Sequence, residues 1–378
     1  MSEPPKTYRL WSAIATISAV LQRKCYFQWG ALTFYPNMYI ILIGPPAARK
    51  GTAMDQARPF LEKLDIKMAA EAITREALIR ELSEATDNTM VGDKMYFHSS
   101  LTIWAQELTV FLGYSNLQLM SDLTDWYDCK NRWTYRTKGQ GVDDITGVYV
   151  VLFGATTPDL IRSALPLDAI GGGLTSRMIF IYEPNKEKLV PLTELDKALG
   201  KQLLNDLRQI QLLGGRFTYH KDFSNKWIDW YVAQEGHPPF RDSKFAGYID
   251  RRAPHILKLC IVSCASRTDD MIITVEDLER AISILELTEQ KMAQTFSGVG
   301  KSPHAEVMAK IMTDIGLEKE IEQSDLLERY YNDVDKWTLG KIIDTLEETK
   351  FLVRISGTPG KTILLHRATL DKKEKEDE

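Results

Sequence analysis

Paired cysteines, histidines at metal-ligand spacing, long apolar runs and an excess of one charge are all missing from this chain, and each absence removes a class of function. The four cysteines, Cys25, Cys129, Cys260 and Cys264, form no C-x-x-C pair and the six histidines are scattered, so neither a structural zinc nor a redox dithiol is expected. Cys260 and Cys264 stand i, i+4 inside "HILKLCIVSCA", the spacing of a buried helical stripe. No stretch approaches the roughly 18 consecutive apolar residues of a membrane span. The opening "MSEPPKTYRL" lacks the basic-then-apolar layout of a signal peptide, which makes a cytoplasmic protein with no membrane partner the expectation. With 47 Lys and Arg against 52 Asp and Glu, the formal net charge is −5. That balance excludes nucleic-acid binding by the surface as a whole and concentrates any DNA contact in a few positions.

What is present is a 378-residue chain, enough for two or three domains at roughly 100 to 200 residues each. Residues 8 to 24 repeat apolar positions at helical spacing and predict an opening helix. "MYIILIG", "LTIWAQEL", "GVYVVLFGATTPD" and "SRMIFIYEP" are apolar runs bounded by turn residues, alternating with helical stretches such as "TAMDQARPFLEKLD" and "ITREALIRELSEA", the latter with Thr74 as its N-cap. This alternation predicts a three-layer α/β domain with a mostly parallel sheet over residues 1–215. From 216 to 298 the pattern reads as helices only, with a Thr274–Asp277 cap on the last, and predicts a small helical subdomain. "SGVGKSP" has linker composition. Residues 299–367 read as three helices and a two-stranded hairpin around "GTPG", the winged-helix order. The final charge run, 368–378, reads as a disordered tail.

The motif that carries chemistry is "IILIGPPAARKGTAMDQA", residues 40 to 57. A phosphate loop needs converging backbone N–H groups, a helix behind them and a lysine that reaches the terminal phosphates. Gly44, Pro45, Pro46, Ala47, Ala48, Arg49, Lys50, Gly51, Thr52 and Ala53 supply that context after a strand, with Lys50 correctly spaced from Gly44. Thr52 is the candidate hydroxyl for a magnesium ion. Arg49 departs from the pattern, because glycine normally occupies that tight position. "LTIWAQEL" then offers Glu107 as the carboxylate near an attacking water and the metal, while Gln106 stands where an aspartate is usual. Asp122, Asp125 and Asp128 recur at i, i+3, i+6, a spacing that reads as a solvated helix face before it reads as a metal site.

"YPNMYIILIGPPAARKGTA", "ITREALIREL", "LTIWAQELTVFLG", "DLTDWYDCKNRWTYRT" and "LFGATTPDLI...AIGGGLTSRMIFIYE" resemble a family of phage and mobile-element P-loop proteins described as replicative helicase-like, sometimes fused to primases. More distantly, the later stretches resemble the AAA+ module of MCM helicases. The resemblance implies an AAA+ ATPase that uses ATP and Mg2+, assembles as a ring homo-oligomer of hexameric size, acts on single-stranded or forked DNA in replication, and works beside a primase. It assigns a water-orienting sensor to Thr156 or Thr157 in "GATTP", with Thr157 preferred. It makes Arg177 in "LTSRMIF" an arginine finger for the next subunit, an effect of roughly 10³ to 10⁵ in rate in other NTPases. Arg252, with Arg251 as fallback, becomes the second sensor on the helical lid. The segments flanking 138–141 become a hairpin whose Arg136 and Lys138 contact a DNA backbone, with Trp133 or Tyr135 packing or stacking.

The winged helix adds Lys361 in its wing, although its third helix is acidic for a DNA reader. Two rival functions stand beside the helicase expectation. One is a nucleotide-binding scaffold or loader with weak hydrolysis, favoured by Gln106 and Arg49. The other is a nucleotide kinase, which shares the G-K-G-T ending but needs no winged helix.

Overall fold

The structure, a computed structural model, describes all residues except 1, 92, 114–115, 138–140, 166–171, 193–195, 241, 297–303, 357–361 and 368–378. They belong to two units, Met1–Thr295 and Phe296–Glu378. The first begins with α1 (Lys6–Leu21), whose Tyr8, Trp11, Ser12, Ala15 and Ala19 form one buried stripe at helical spacing. There follow β1 (Cys25–Trp29), β2 (Leu32–Phe34), β3 (Tyr39–Ile43), α2 (Lys50–Asp55), α3 (Arg58–Lys63), α4 (Arg75–Glu84), β4 (Thr86–Val91), β5 (Lys94–Ala105), α5 (Leu108–Leu112) and α6 (Leu117–Tyr127). Next come the hairpin strands β6 (Arg132–Thr137) and β7 (Gly141–Thr146), then β8 (Val148–Thr156) and α7 (Pro158–Ala164). A 3-10 turn over Thr175–Arg177 leads into β9 (Met178–Tyr182) and α8 (Lys197–Leu212).

Five strands form the main sheet in the order β4-β5-β8-β3-β9, with β5, β8, β3 and β9 mutually parallel and β4 antiparallel at the edge. Every residue of β3 and β8 is buried, so both faces of these strands are covered, which is how a strand inside an α/β sandwich reads as an unbroken apolar run. The α/β class expected from the alternating pattern is present, with mixed rather than purely parallel pairing. β5 reaches further back than the apolar run suggested. Its first residues pair with β4 from Thr86↔Ser99 to Val91↔Lys94, and only Ser99–Ala105 join β8.

The segment beyond residue 215 is not helical throughout. β10 (Gly215–Tyr219) pairs in parallel with β1, and after α9 (Lys221–Gly236) and α10 (Ala246–Ala265) the short β11 (Ile272–Ile273) pairs in parallel with β10. A second sheet, β11-β10-β1-β2, therefore crosses the expected 215/216 boundary, and α11 (Val275–Met292) closes the same unit. "GRFTY" is a strand because a partner more than 180 residues earlier completes its hydrogen bonds, which no local pattern displays. The caps read from sequence are present: Thr74 accepts from Ala77 N–H, and Thr274 with Asp277 forms a capping box on α11. Cys260 and Cys264 are buried, unpaired thiols of α10.

The second unit runs α12 (Ala305–Glu318), β12 (Glu320–Glu322), α13 (Gln323–Tyr330), α14 (Lys336–Glu348), β13 (Leu352–Ser356) and β14 (Thr362–His366), with its sheet ordered β12-β14-β13. Ile311, Ile315, Leu326, Leu339, Ile343 and Leu364 are its core. The linker, the wing with Lys361 and the charged tail lie outside the described residues. No helix among the described residues is long and apolar enough to cross a membrane.

Candidate nucleotide site

The loop after β3 is held by close approach. A Cβ on Gly44 would lie 2.4 Å from the Glu183 carbonyl and 2.6 Å from Tyr8 Oη, so only glycine fits. Tyr8 Oη donates to the Ile43 carbonyl at 2.6 Å, fixing the strand end against α1. Pro45 and Pro46 have no N–H, which leaves any amide cradle to Ala47–Thr52. Ala47 and Arg49 both adopt left-handed backbone, φ 66° in each, a local alternation of the kind that turns successive N–H groups toward one point. Arg49 thus takes the conformation for which glycine is the usual choice, and its guanidinium pairs with Glu3 at 2.6 Å. Lys50 Nζ donates to the carbonyls of Gly44 and Pro45, at 2.6 and 2.9 Å. Burial lowers the Lys50 pKa, and the charge of Glu107 acts in the opposite direction.

The sheet register gathers the other expected groups at this edge. Ile43 is opposite Thr156, and Ala105 is opposite Gly154, so Gln106, Glu107, Thr156 and Thr157 follow the C-terminal ends of neighbouring parallel strands. Thr156 is buried, while the Thr157 hydroxyl accepts from Leu160 N–H as the N-cap of α7. Glu107 is exposed at the start of α5. Gln106 Nε2 donates to Asp55 Oδ1 at the end of α2, a contact that the sequence reading missed although Asp55 follows Thr52 by three residues. The hydroxyl of Thr52 and the carboxylates of Asp55 and Glu107 are hard oxygen donors, the set that suits Mg2+, and Lys50 with the loop amides suits phosphate. The residues present therefore fit a magnesium nucleotide.

Arg177 is elsewhere. It precedes β9, whose Met178 is opposite Tyr39, so roughly 13 Å of strand separates it from the loop that follows Ile43. The side chain is buried, donating to the Gly173 carbonyl and to Asp128 Oδ2 at 2.7 Å each. Arg251 approaches the other oxygen of Asp128 at 3.7 Å. Both arginines line a cavity of about 500 Å³ with Gly173, Ser176, Asp250 and Pro254. Arg252 is engaged inside the helical layer, where Glu289 takes its Nε at 2.8 Å and its Nη2 at 2.9 Å. Both residues of that pair are buried.

The remaining expectations divide in the same way. Of Asp122, Asp125 and Asp128, expected as a solvated face, only Asp122 is buried, and it holds Arg75; Asp125 holds Lys130 at 3.0 Å and the exposed Asp128 holds the two arginines. Each acid thus has a cation as its partner, supplied by segments far away or after the helix. The β6–β7 hairpin exists. Trp133 and Tyr135 share its packed face, Trp133 against Trp126 and Tyr135 under Arg75, while Arg136 is exposed and Lys138 lies outside the described residues. No cluster of three or more metal-binding His, Cys, Asp or Glu residues occurs among the described residues. No family model matches this chain, and no curated protein matches it.

Proposed function

We propose that this chain is an AAA+-type P-loop ATPase that works as a ring on DNA, with the second unit a winged-helix domain. The observation that carries the reading is the common edge at which the Gly44–Thr52 loop, Gln106–Glu107 and Thr156–Thr157 meet, because phosphoryl transfer needs phosphate cradle, metal carboxylate and water-orienting group together. When bound, Mg2+ would neutralise charge on the phosphate oxygens. Lys50 would turn from the loop carbonyls to the phosphates, Glu107 would accept the proton of the attacking water, and Thr156 or Thr157 would orient that water.

Arg177 supports the oligomeric part of the reading. A cation held at the opposite end of β9 cannot serve its own loop without unfolding the strand, so a role on nucleotide requires another copy's site. Arg251 accompanies it in the same cavity and takes the second-sensor role better than Arg252, whose guanidinium Glu289 encloses. Arg136, exposed on the hairpin, would be a DNA contact on this reading. The helix, strand, helix, helix, hairpin order of the second unit supports its winged-helix assignment.

Phosphate release by the purified protein, with and without single-stranded DNA, tests the proposal. Turnover stimulated by DNA and reduced about 10²-fold or more by Lys50→Ala is expected. Mixing Lys50→Ala with Arg177→Ala subunits should recover part of the activity that each lacks alone, and no recovery would count against shared sites. A scaffold or loader is favoured instead by Gln106 at the metal edge, and predicts assembly stabilised by ATP without steady turnover.

A further inference from the structure

Gln106 stands where a phosphate-loop ATPase needs a carboxylate, and an amide brings no charge to a magnesium ion. The structure places a carboxylate beside it. Asp55 lies three residues after Thr52 on α2, a spacing that puts both side chains on one helix face, and Gln106 Nε2 donates to its Oδ1. The same amide lies across the start of α2, with Gln106 Oε1 3.7 Å from where a Cβ of Gly51 would stand. Gln106 is therefore fixed between the loop and Asp55. One Asp55 oxygen is engaged by the amide, and Thr52 precedes Asp55 by three residues on the same helix.

Helix stability does not account for this acid. An aspartate as the last residue of a helix faces the negative end of the backbone dipoles, where cations are favoured. Among the described residues Asp55 forms no ion pair, in contrast to Asp122, Asp125 and Asp128, each of which has one. It is an uncompensated negative charge, oriented by an amide, at the edge where the metal of a bound nucleotide would sit.

We propose that Asp55 is a positioning residue that supplies the missing carboxylate, accepting hydrogen bonds from water on the magnesium ion while Gln106 holds it in place. The inference rests on the nucleotide-binding reading above. The exchange moves the charge from the strand end to the facing helix and keeps the number of acids at the site unchanged.

Affinity for a fluorescent ATP analogue, titrated in EDTA and again with Mg2+, tests it without reference to turnover. Asp55→Asn should reduce the gain in affinity that Mg2+ brings by about tenfold, the range for loss of an outer-shell partner, and leave binding in EDTA unchanged. Adding Gln106→Asp to that variant should restore most of the gain, because the charge returns at the strand end. A full magnesium gain in Asp55→Asn overturns the inference, as does an equal loss in both buffers, which marks a purely structural residue. If the unaltered protein binds the analogue in neither buffer, the nucleotide-binding reading itself is overturned.

Discussion

Exchange of the Arg252–Glu289 pair separates a structural arginine from a nucleotide sensor. The two side chains are buried and joined by two hydrogen bonds of 2.8 and 2.9 Å, and Tyr248 Oη donates to Glu289 Oε1 at 3.1 Å. Glu289→Leu leaves a buried guanidinium whose remaining carboxylate, Glu286, is 3.4 Å away and half-exposed. Removing one member of a buried ion pair costs about 3–5 kcal/mol. On a unit of this size that is a fall in melting temperature of about 5–10 °C. Arg252→Met alone should cost a similar amount by stranding Glu289. The double variant Arg252→Met/Glu289→Leu should return to within about 1 kcal/mol of the parent, because two apolar side chains of similar volume replace a pair whose desolvation is itself expensive. Urea denaturation of the three variants measures the cycle, and phosphate release on the double variant completes it. A folded double variant that retains turnover assigns Arg252 to the architecture and leaves the sensor role to Arg251. A Glu289→Leu variant destabilised by less than about 1 kcal/mol would refute the reasoning about the buried pair.

Three further outcomes follow from the structure. Gly44→Ala places a methyl 2.4 Å from the Glu183 carbonyl, so the loop must move; a loss of about 1–3 kcal/mol in stability, read by thermal melting, should accompany weaker nucleotide binding. Arg49→Gly relieves left-handed backbone and should stabilise the protein by about 1 kcal/mol; unchanged ATP affinity in that variant would show that the arginine serves the loop alone. Burial depresses His98 to about 4 and His255 to about 3, each below the ordinary histidine range. The unfolded chain therefore binds the extra protons. The histidines' contribution is complete above about pH 6.5 and is lost as pH falls toward 4, at about 1.4 kcal/mol per pH unit for each. Urea midpoints should be lower at pH 5 than at pH 7, and His255→Gln should reduce the difference; equal midpoints in the parent would refute it.

What the sequence displayed was local. β3 and β8 were legible because a strand covered on both faces is apolar at every residue, and Thr74 and Thr274 because a cap and its helix are neighbours in the chain. That a loop follows β3 and a helix follows the loop was legible because Gly44, Pro45 and Pro46 are neighbours in the chain. β10 and the first half of β5 were not, since their strand character is completed by distant or antiparallel partners rather than by their own periodicity. Asp122 of α6 was misread as solvated for the same reason: Arg75, which neutralises it, comes from elsewhere in the sequence. Glu3 at Arg49 and Asp55 at Gln106 show that a departure from a motif is judged by what folds against it.

The two departures in the loop region differ in what compensates them. Left-handed backbone at a residue with a Cβ costs about 1–2 kcal/mol. The Glu3–Arg49 pair, with Arg49 40% exposed, offsets less than about 1 kcal/mol of that. A glycine at 49 would give the same turn without the penalty, so the turn alone does not explain the arginine, and a backbone outlier beside a candidate phosphate site points to use of its cation. Gln106 is the converse. The amide brings no strain, and the carboxylate it lacks is present across a hydrogen bond on Asp55. On the proposed reading Asp55 keeps a negative charge at the metal end of the site, while the charge that Arg49 adds at the loop is paired with Glu3. On that reading the exchange at Gln106 preserves the negative charge that a magnesium nucleotide needs while altering which element of the chain supplies it.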